Sequence, residues 1–73
     1  MMLNELQPGG RATVRALYCD GAMSRRLREL GLIAGTPVTC LGRSPLGDPA
    51  AYAIRGAVIA LRDAEARKIE VEG

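Results

Sequence analysis

The groups able to do chemistry in this chain are few, and the most conspicuous are basic. In MSRRLRELGLIAGT, residues 23–36, three arginines (Arg25, Arg26 and Arg28) fall within four positions, and two glycines (Gly31 and Gly35) follow. Such a cluster could grip phosphates, dock on a protein, or face water while the leucines between build a core. The chain has no histidine, which removes the commonest general base and the commonest metal ligand. Ser24 and Ser44 have no activating base by type. The carboxylates of Asp20, Glu29, Asp48, Asp63 and Glu65 fit caps, turns and a helix pair better than an acid–base couple. No catalytic residue is expected, and the chain reads as a non-enzyme.

Metal and nucleotide chemistry fare no better. Cys19 and Cys40 lie 21 residues apart and form no CxxC. Zinc needs about four ligands, or three with a water, and no histidine completes the set. Cys40 reads as a small core side chain and Cys19 as a strand-end thiol. No metal site and no cofactor are expected from these residues. A phosphate loop of the form GxxxxGK[ST] is absent, and Gly31-x-x-x-Gly35 follows a helix where a phosphate site precedes one.

The choice for the arginines turns on the elements that carry them. At 100° per residue, Met23, Leu27 and Leu30 fall on one apolar stripe, with Arg25, Arg28 and Glu29 opposite and Arg26 on the flank. Asp20 is placed to cap this helix and Gly31 to end it in a left-handed conformation, with Leu32 making the apolar contact that accompanies such a stop. A recognition helix of the helix-turn-helix type needs another helix just before it, and a strand precedes this one. Barrels that bind single strands offer aromatic platforms, and only Tyr18 and Tyr52 exist, the latter on a buried face. The arginine face therefore reads first as solvated, with Arg25 and Glu29 partly neutralising each other; protein docking comes next and nucleic acid last.

The rest of the chain reads as short strands between turn signals. Pro8-Gly9-Gly10 opens a strand over residues 11–18, where Ala12 and Val14 alternate with polar neighbours and a bulge at Arg15-Ala16 returns Leu17 to the core. Gly35-Thr36 turns the chain into a second strand over 36–43, pointing Val38 and Cys40 one way; Pro37 marks an edge or the strand's opening. An exposed edge there could support a weak homo-oligomer. Residues 44–50 form a loop. AAYAIR and AVIALR, separated by Gly56, read as a tight hairpin with Tyr52 and Ile54 on one face, and Ile59 and Leu61 on one face of the partner. Asp63 caps a one-turn helix, and Ile69 and Val71 form a last strand. The fold class is mainly β: a small, partly open barrel of five short strands, with one helix after the first and a single helical turn before the last.

Bulk properties bound this reading. Residues 1–73 make one domain that hides about 60% of its unfolded surface. Net charge is +2; residues 11–43 balance at +4 and residues 44–73 at −1, an asymmetry too mild for a nucleic-acid stripe. The polar residues Asn4 and Glu5 and the early turn predict no signal segment, and no apolar run approaches the roughly 20 residues of a membrane span. A cytosolic protein with reduced thiols is the expectation.

Taken together, the ordered pattern resembles the ferrous iron transport protein A (FeoA) family. It is carried by Leu6-x-Pro8-Gly9, Ala12-x-Val14-x-x-Leu17, and Arg26-Leu27-x-x-Leu30-Gly31-Leu32-x-x-Gly35-x-x-Val38. Downstream follow Pro45-x-Gly47-Asp48-Pro49, Ile54-x-Gly56, Ile59-Ala60-Leu61-Arg62, Ala66 and Ile69-x-Val71. Ala34 departs from the pattern, which often has proline before the glycine. The resemblance implies an SH3-like barrel without enzymatic activity. It also implies a role as cytoplasmic accessory to the ferrous iron transporter, transport protein B, which it would dock on and modulate. Transition-metal binding is associated with the family as a whole, with no ligand assigned in this chain. The alternatives are a regulatory domain like the C-terminal one of iron-dependent repressors, or a nucleic-acid-binding barrel. Within the docking reading, Arg25, Arg26 and Arg28 are the candidate partner-binding residues, with Leu46 at the tip of the 44–50 loop as an apolar anchor near a shared groove, or else folded back on the barrel. Gly9, Gly31, Gly35, Gly56, Asp20 and Asp63 are the expected turn and cap residues.

Overall fold

The computed structural model describes residues 1–73 and contains five strands. They are β1 (Arg11–Leu17), β2 (Pro37–Arg43), β3 (Ala50–Ile54), β4 (Ala57–Leu61) and β5 (Ile69–Glu72). Helix α1 (Gly21–Glu29) follows β1, the short α2 (Asp63–Ala66) precedes β5, and a 3-10 turn (Leu3–Glu5) comes before the sheet. The strands form one antiparallel sheet in the order β4-β3-β2-β1-β5. No pairing joins β4 to β5, so the barrel stays partly open, as the strand pattern predicts.

Alternation along each strand builds the interior. Ala12 and Val14 of β1, Val38 and Cys40 of β2, Tyr52 and Ile54 of β3, and Ile69 and Val71 of β5 are all buried. The predicted bulge exists: Val14 pairs with Val71 and Ala16 with Glu70, leaving Arg15 as the extra residue. Without that residue Leu17 would turn outward; with it, Leu17 pairs with Ile69 and packs on the core.

Two sequence expectations about β2 separate here. Pro37 does open the strand, but β2 lies between β3 and β1, so Pro37 marks no free edge. The proline is tolerated because it stands at the first residue of the strand, where a missing N–H breaks little of the ladder. In the β3–β4 hairpin, Arg55 belongs to the turn and not to a strand: Arg55 (φ 54°) and Gly56 (φ 79°) form the two-residue connection. Positive φ at both central positions matches the right-handed twist of the flanking strands.

Helix α1 docks by the expected stripe. Leu27 is fully buried, and Met23 and Leu30 pack on the core from its margin. Its end is a complete Schellman motif: the Leu32 N–H donates to the Leu27 carbonyl (3.0 Å) and the Gly31 N–H to the Arg28 carbonyl (3.0 Å). Gly31 has φ 104°, and a Cβ there would lie 3.0 Å from Arg55 Cδ, so glycine serves both the turn and the approach of the hairpin.

Both predicted carboxylate caps need correction. Asp20 occupies the N-cap position of α1 in extended backbone, but its side chain bonds no helix N–H. Gly21, with φ 62°, interrupts the extended-to-helical step through which a capping side chain reaches the next N–H groups. Asp63 is the first residue of α2 and not its cap, a position held by Arg62. The Asp63 N–H donates to Asp48 Oδ1 (2.9 Å), and the Arg62 N–H donates to Glu65 Oε1 (3.0 Å). The loop thus supplies an acceptor that local spacing assigned to Asp63.

Candidate partner-docking face

The arginine cluster is divided by its packing. Arg26, on the flank of α1, forms an ion pair with Glu65 of α2. Glu65 is largely covered and also holds the Arg62 N–H, so Arg26 joins the two helices as well as facing solvent. Arg25 and Arg28 have no carboxylate partner: the chain's ion pairs are Arg15–Glu72 (2.8 Å) and Arg26–Glu65. The expected Arg25–Glu29 pair does not form. With arginine first, the order opposes the helix dipole, and on an exposed face the attraction hardly exceeds the cost of ordering two long side chains.

Arg25 and Arg28 line a shallow groove with Gly21, Ser24 and Glu29 of α1 and with Cys19 and Asp20 of the segment before it. A second groove shares Cys19 and Asp20 and extends over Leu17, Tyr18, Met23 and Lys68. Sequence reasoning did not single out this second groove. Its signal was Tyr18, an aromatic residue at the end of β1 that is 59% exposed. The Tyr18 hydroxyl donates to Glu70 Oε1 (2.5 Å), and that bond, with the glutamate's charge, holds the phenol above its ordinary pKa. Tyr52 is also raised, by burial, and its hydroxyl has no protein partner.

The loop tip stands apart from these grooves. Leu46 is 94% exposed, so it is not folded back on the barrel. Gly47 holds the tip by donating its N–H to the Ser44 carbonyl (2.8 Å). No groove is lined by both α1 and residues 44–50, contrary to the shared groove expected from the sequence. What connects the two regions is α2, which takes Arg26 on one side through Glu65 and Asp48 on the other through Asp63. Of the glycines expected in turns, Gly9 (φ 86°), Gly35 (φ 92°) and Gly56 adopt the left-handed region along with Gly31.

No histidine, cysteine, aspartate or glutamate side chains converge in groups of three or more that could hold a metal ion. Cys40 is buried in the core and Cys19 is half-buried at the strand end, and neither is in a disulfide. A solvated basic helix face beside an apolar-lined groove can recognise another surface.

The FeoA domain family matches residues 1–73. The chain belongs to the FeoA family. A Porphyromonas gingivalis protein described as an Fe(2+) transport protein A/Fe(2+) transporter FeoB fusion is 36% identical over 72 residues. The FeoA match covers 99% of this chain but only 8% of that relative. Among solved structures, iron(II) transport protein A from Clostridium thermocellum superposes with a TM-score of 0.95 at 36% identity, over 99% of this chain and 44% of that one. Stenotrophomonas maltophilia FeoA, solved with zinc and described as a procaryotic SH3 domain protein, gives 0.86 at 33% identity, over 99% and 89%. The SH3-like class that the family resemblance implies is the class of this FeoA neighbour.

Proposed function

We propose that this FeoA domain is an accessory of ferrous iron uptake that docks on the cytosolic part of the ferrous iron transporter, transport protein B, and modulates it. The observation that carries the reading is the fused relative, in which a segment like this chain is covalently joined to a transporter. Fusion keeps two modules at high effective concentration, which makes sense where they work in contact. The docking face is the outer side of α1: Arg25 and Arg28 are uncommitted, and Arg26 borders them. Leu46 offers a separate apolar anchor at the loop tip. A complementary partner surface presents carboxylates to the helix, which steers encounter more than it tightens the complex. The domain acts on the cytosolic side, and none of its helices is long and apolar enough to cross a membrane. We assign it no catalytic step.

Co-purification of the pure protein with the transporter's cytosolic domain tests this. Binding is expected, and Arg25→Glu with Arg28→Glu should weaken it at least tenfold. Undiminished binding by that double variant removes α1 from the interface, and no binding by the parent protein removes the docking reading.

A further inference from the structure

The two ends of the sheet are finished differently. At the β5 end, the N-terminal residues cover the edge: Met2 bridges Glu70, the Met1 ammonium donates to the Val71 carbonyl (3.1 Å), and the Val71 N–H donates to the Met1 carbonyl (2.8 Å). At the other end, nothing pairs with the outer edge of β4. Its sequence, AVIAL, has no charge and no proline, two of the devices that normally blunt an edge. Val58 is 72% exposed and Ala60 is also exposed.

The register of the hairpin decides which backbone groups are free. Ile54 and Ala57 close the two-residue turn, Tyr52 pairs with Ile59, and Ala50 pairs with Leu61. The closing pair of such a hairpin exchanges hydrogen bonds, and bonded pairs recur at every second residue. The N–H and C=O groups of 57, 59 and 61 therefore point to β3, and those of Val58 and Ala60 point away from the sheet. No turn or loop contact takes them.

We propose that the free edge of β4 pairs antiparallel with β4 of a second copy of this chain, about a two-fold axis at Ile59. In that register Val58 of each copy exchanges both backbone bonds with Ala60 of the other, and Ala57 faces Leu61. The half-buried Ile59 side chains meet on the axis, at the margin of both cores. Charge selects this register over its neighbours. It sets Arg55 of one copy opposite Asp63 of the other and Arg62 opposite the side-chain-free Gly56. A shift of two residues in one direction sets Arg55 against Leu61; in the other it sets Arg62 against Val58 and Arg55 toward Glu65, which is largely covered and already held by Arg26 and the Arg62 N–H. A second copy fits the edge because the strand is apolar on both sides of its centre, and an isologous pair presents the same patch twice.

The contact of two five-residue strands falls below the standard interface of about 800 Å² per partner. The expected dimer therefore forms at about 0.1–1 mM. Sedimentation of the full chain over that range should show the mass doubling, and amide exchange at Val58 and Ala60 should slow as the dimer fills. Val58→Lys, which leaves the ladder to β3 intact, should weaken association at least tenfold with an unchanged spectrum of the monomer. Ala60→Pro removes an outward N–H and should do the same; should it fail to fold, Val58→Lys alone decides. A monomer at about 1 mM, an unimpaired Val58→Lys dimer, or protection on dimerisation at amides other than these overturns the proposal. So does slowing of these two amides only when the transporter's cytosolic domain is added.

Discussion

The two faces of α1 are made of the same nine-residue helix and do opposite things. The inner face presents Leu27, fully buried, between Met23 and Leu30 at the core margin. The outer face presents Arg25 and Arg28 to solvent with no ion-pair partner, and Arg26 between the faces is held by Glu65. The difference is one of commitment. Apolar burial is nondirectional and additive over area, so the stripe can anchor the helix without specific geometry. An exposed charge gains little until a partner removes its water, so the outer face is available for recognition.

This contrast can be broken at its strong end first. Leu27→Ala should destabilise the fold by about 2–5 kcal/mol, since it opens a cavity where the helix meets the sheet; denaturant unfolding measures it, and a loss under about 1 kcal/mol would mean that the helix is not anchored by its stripe. Gly31→Ala should cost about 1–2 kcal/mol from the left-handed backbone alone. Its new Cβ also presses on Arg55, so an Arg55→Ala background should recover part of that loss in thermal melts.

The tyrosines sharpen the same distinction between interior and surface. Burial raises the Tyr52 pKa, so the folded state favours the neutral phenol. The stability this contributes is full below the unfolded value of about 10 and is lost as pH rises through the higher folded value. Tyr52→Phe should abolish that alkaline loss, and at neutral pH it should change stability by about 1 kcal/mol or less, because the hydroxyl lacks a protein partner. A melting series between pH 8 and 11 reads both effects, for which about 10 is the reference value.

Smaller effects are expected outside the core. Arg26→Ala should cost about 0.2–1 kcal/mol and grow weaker with added salt, since the arginine is half exposed. Charge reversal at Arg25 and Arg28 should leave stability within about 0.5 kcal/mol. If that double variant unfolds early, the outer face belongs to the fold and its use for recognition is in doubt.

Much of the architecture was legible in the residues because its causes are local. The period-2 runs placed the strands, the slip in phase at Leu17 announced the bulge, and Gly31-Leu32 announced the helix stop. Where local rules failed, a distant group had replaced a near one. Asp63 reads as a cap, yet Asp48 from the 44–50 loop accepts the Asp63 N–H. Arg25 and Glu29 stand at helical spacing, yet the ion pair of α1 goes from Arg26 to Glu65 on another element. Pro37 suggests an edge, yet the open edge is β4.

The amino-acid sequence by itself determined the five strands, the amphipathic helix, the turn glycines and the family. These follow from side-chain period, steric demands at single residues and an ordered pattern of types. Tertiary structure alone decided which arginines are uncommitted, that Leu46 stands free of the barrel, and which end of the sheet is covered. Those outcomes depend on the order in which strands pair and on which loops reach across to a helix, and neither is encoded in the spacing of neighbouring residues.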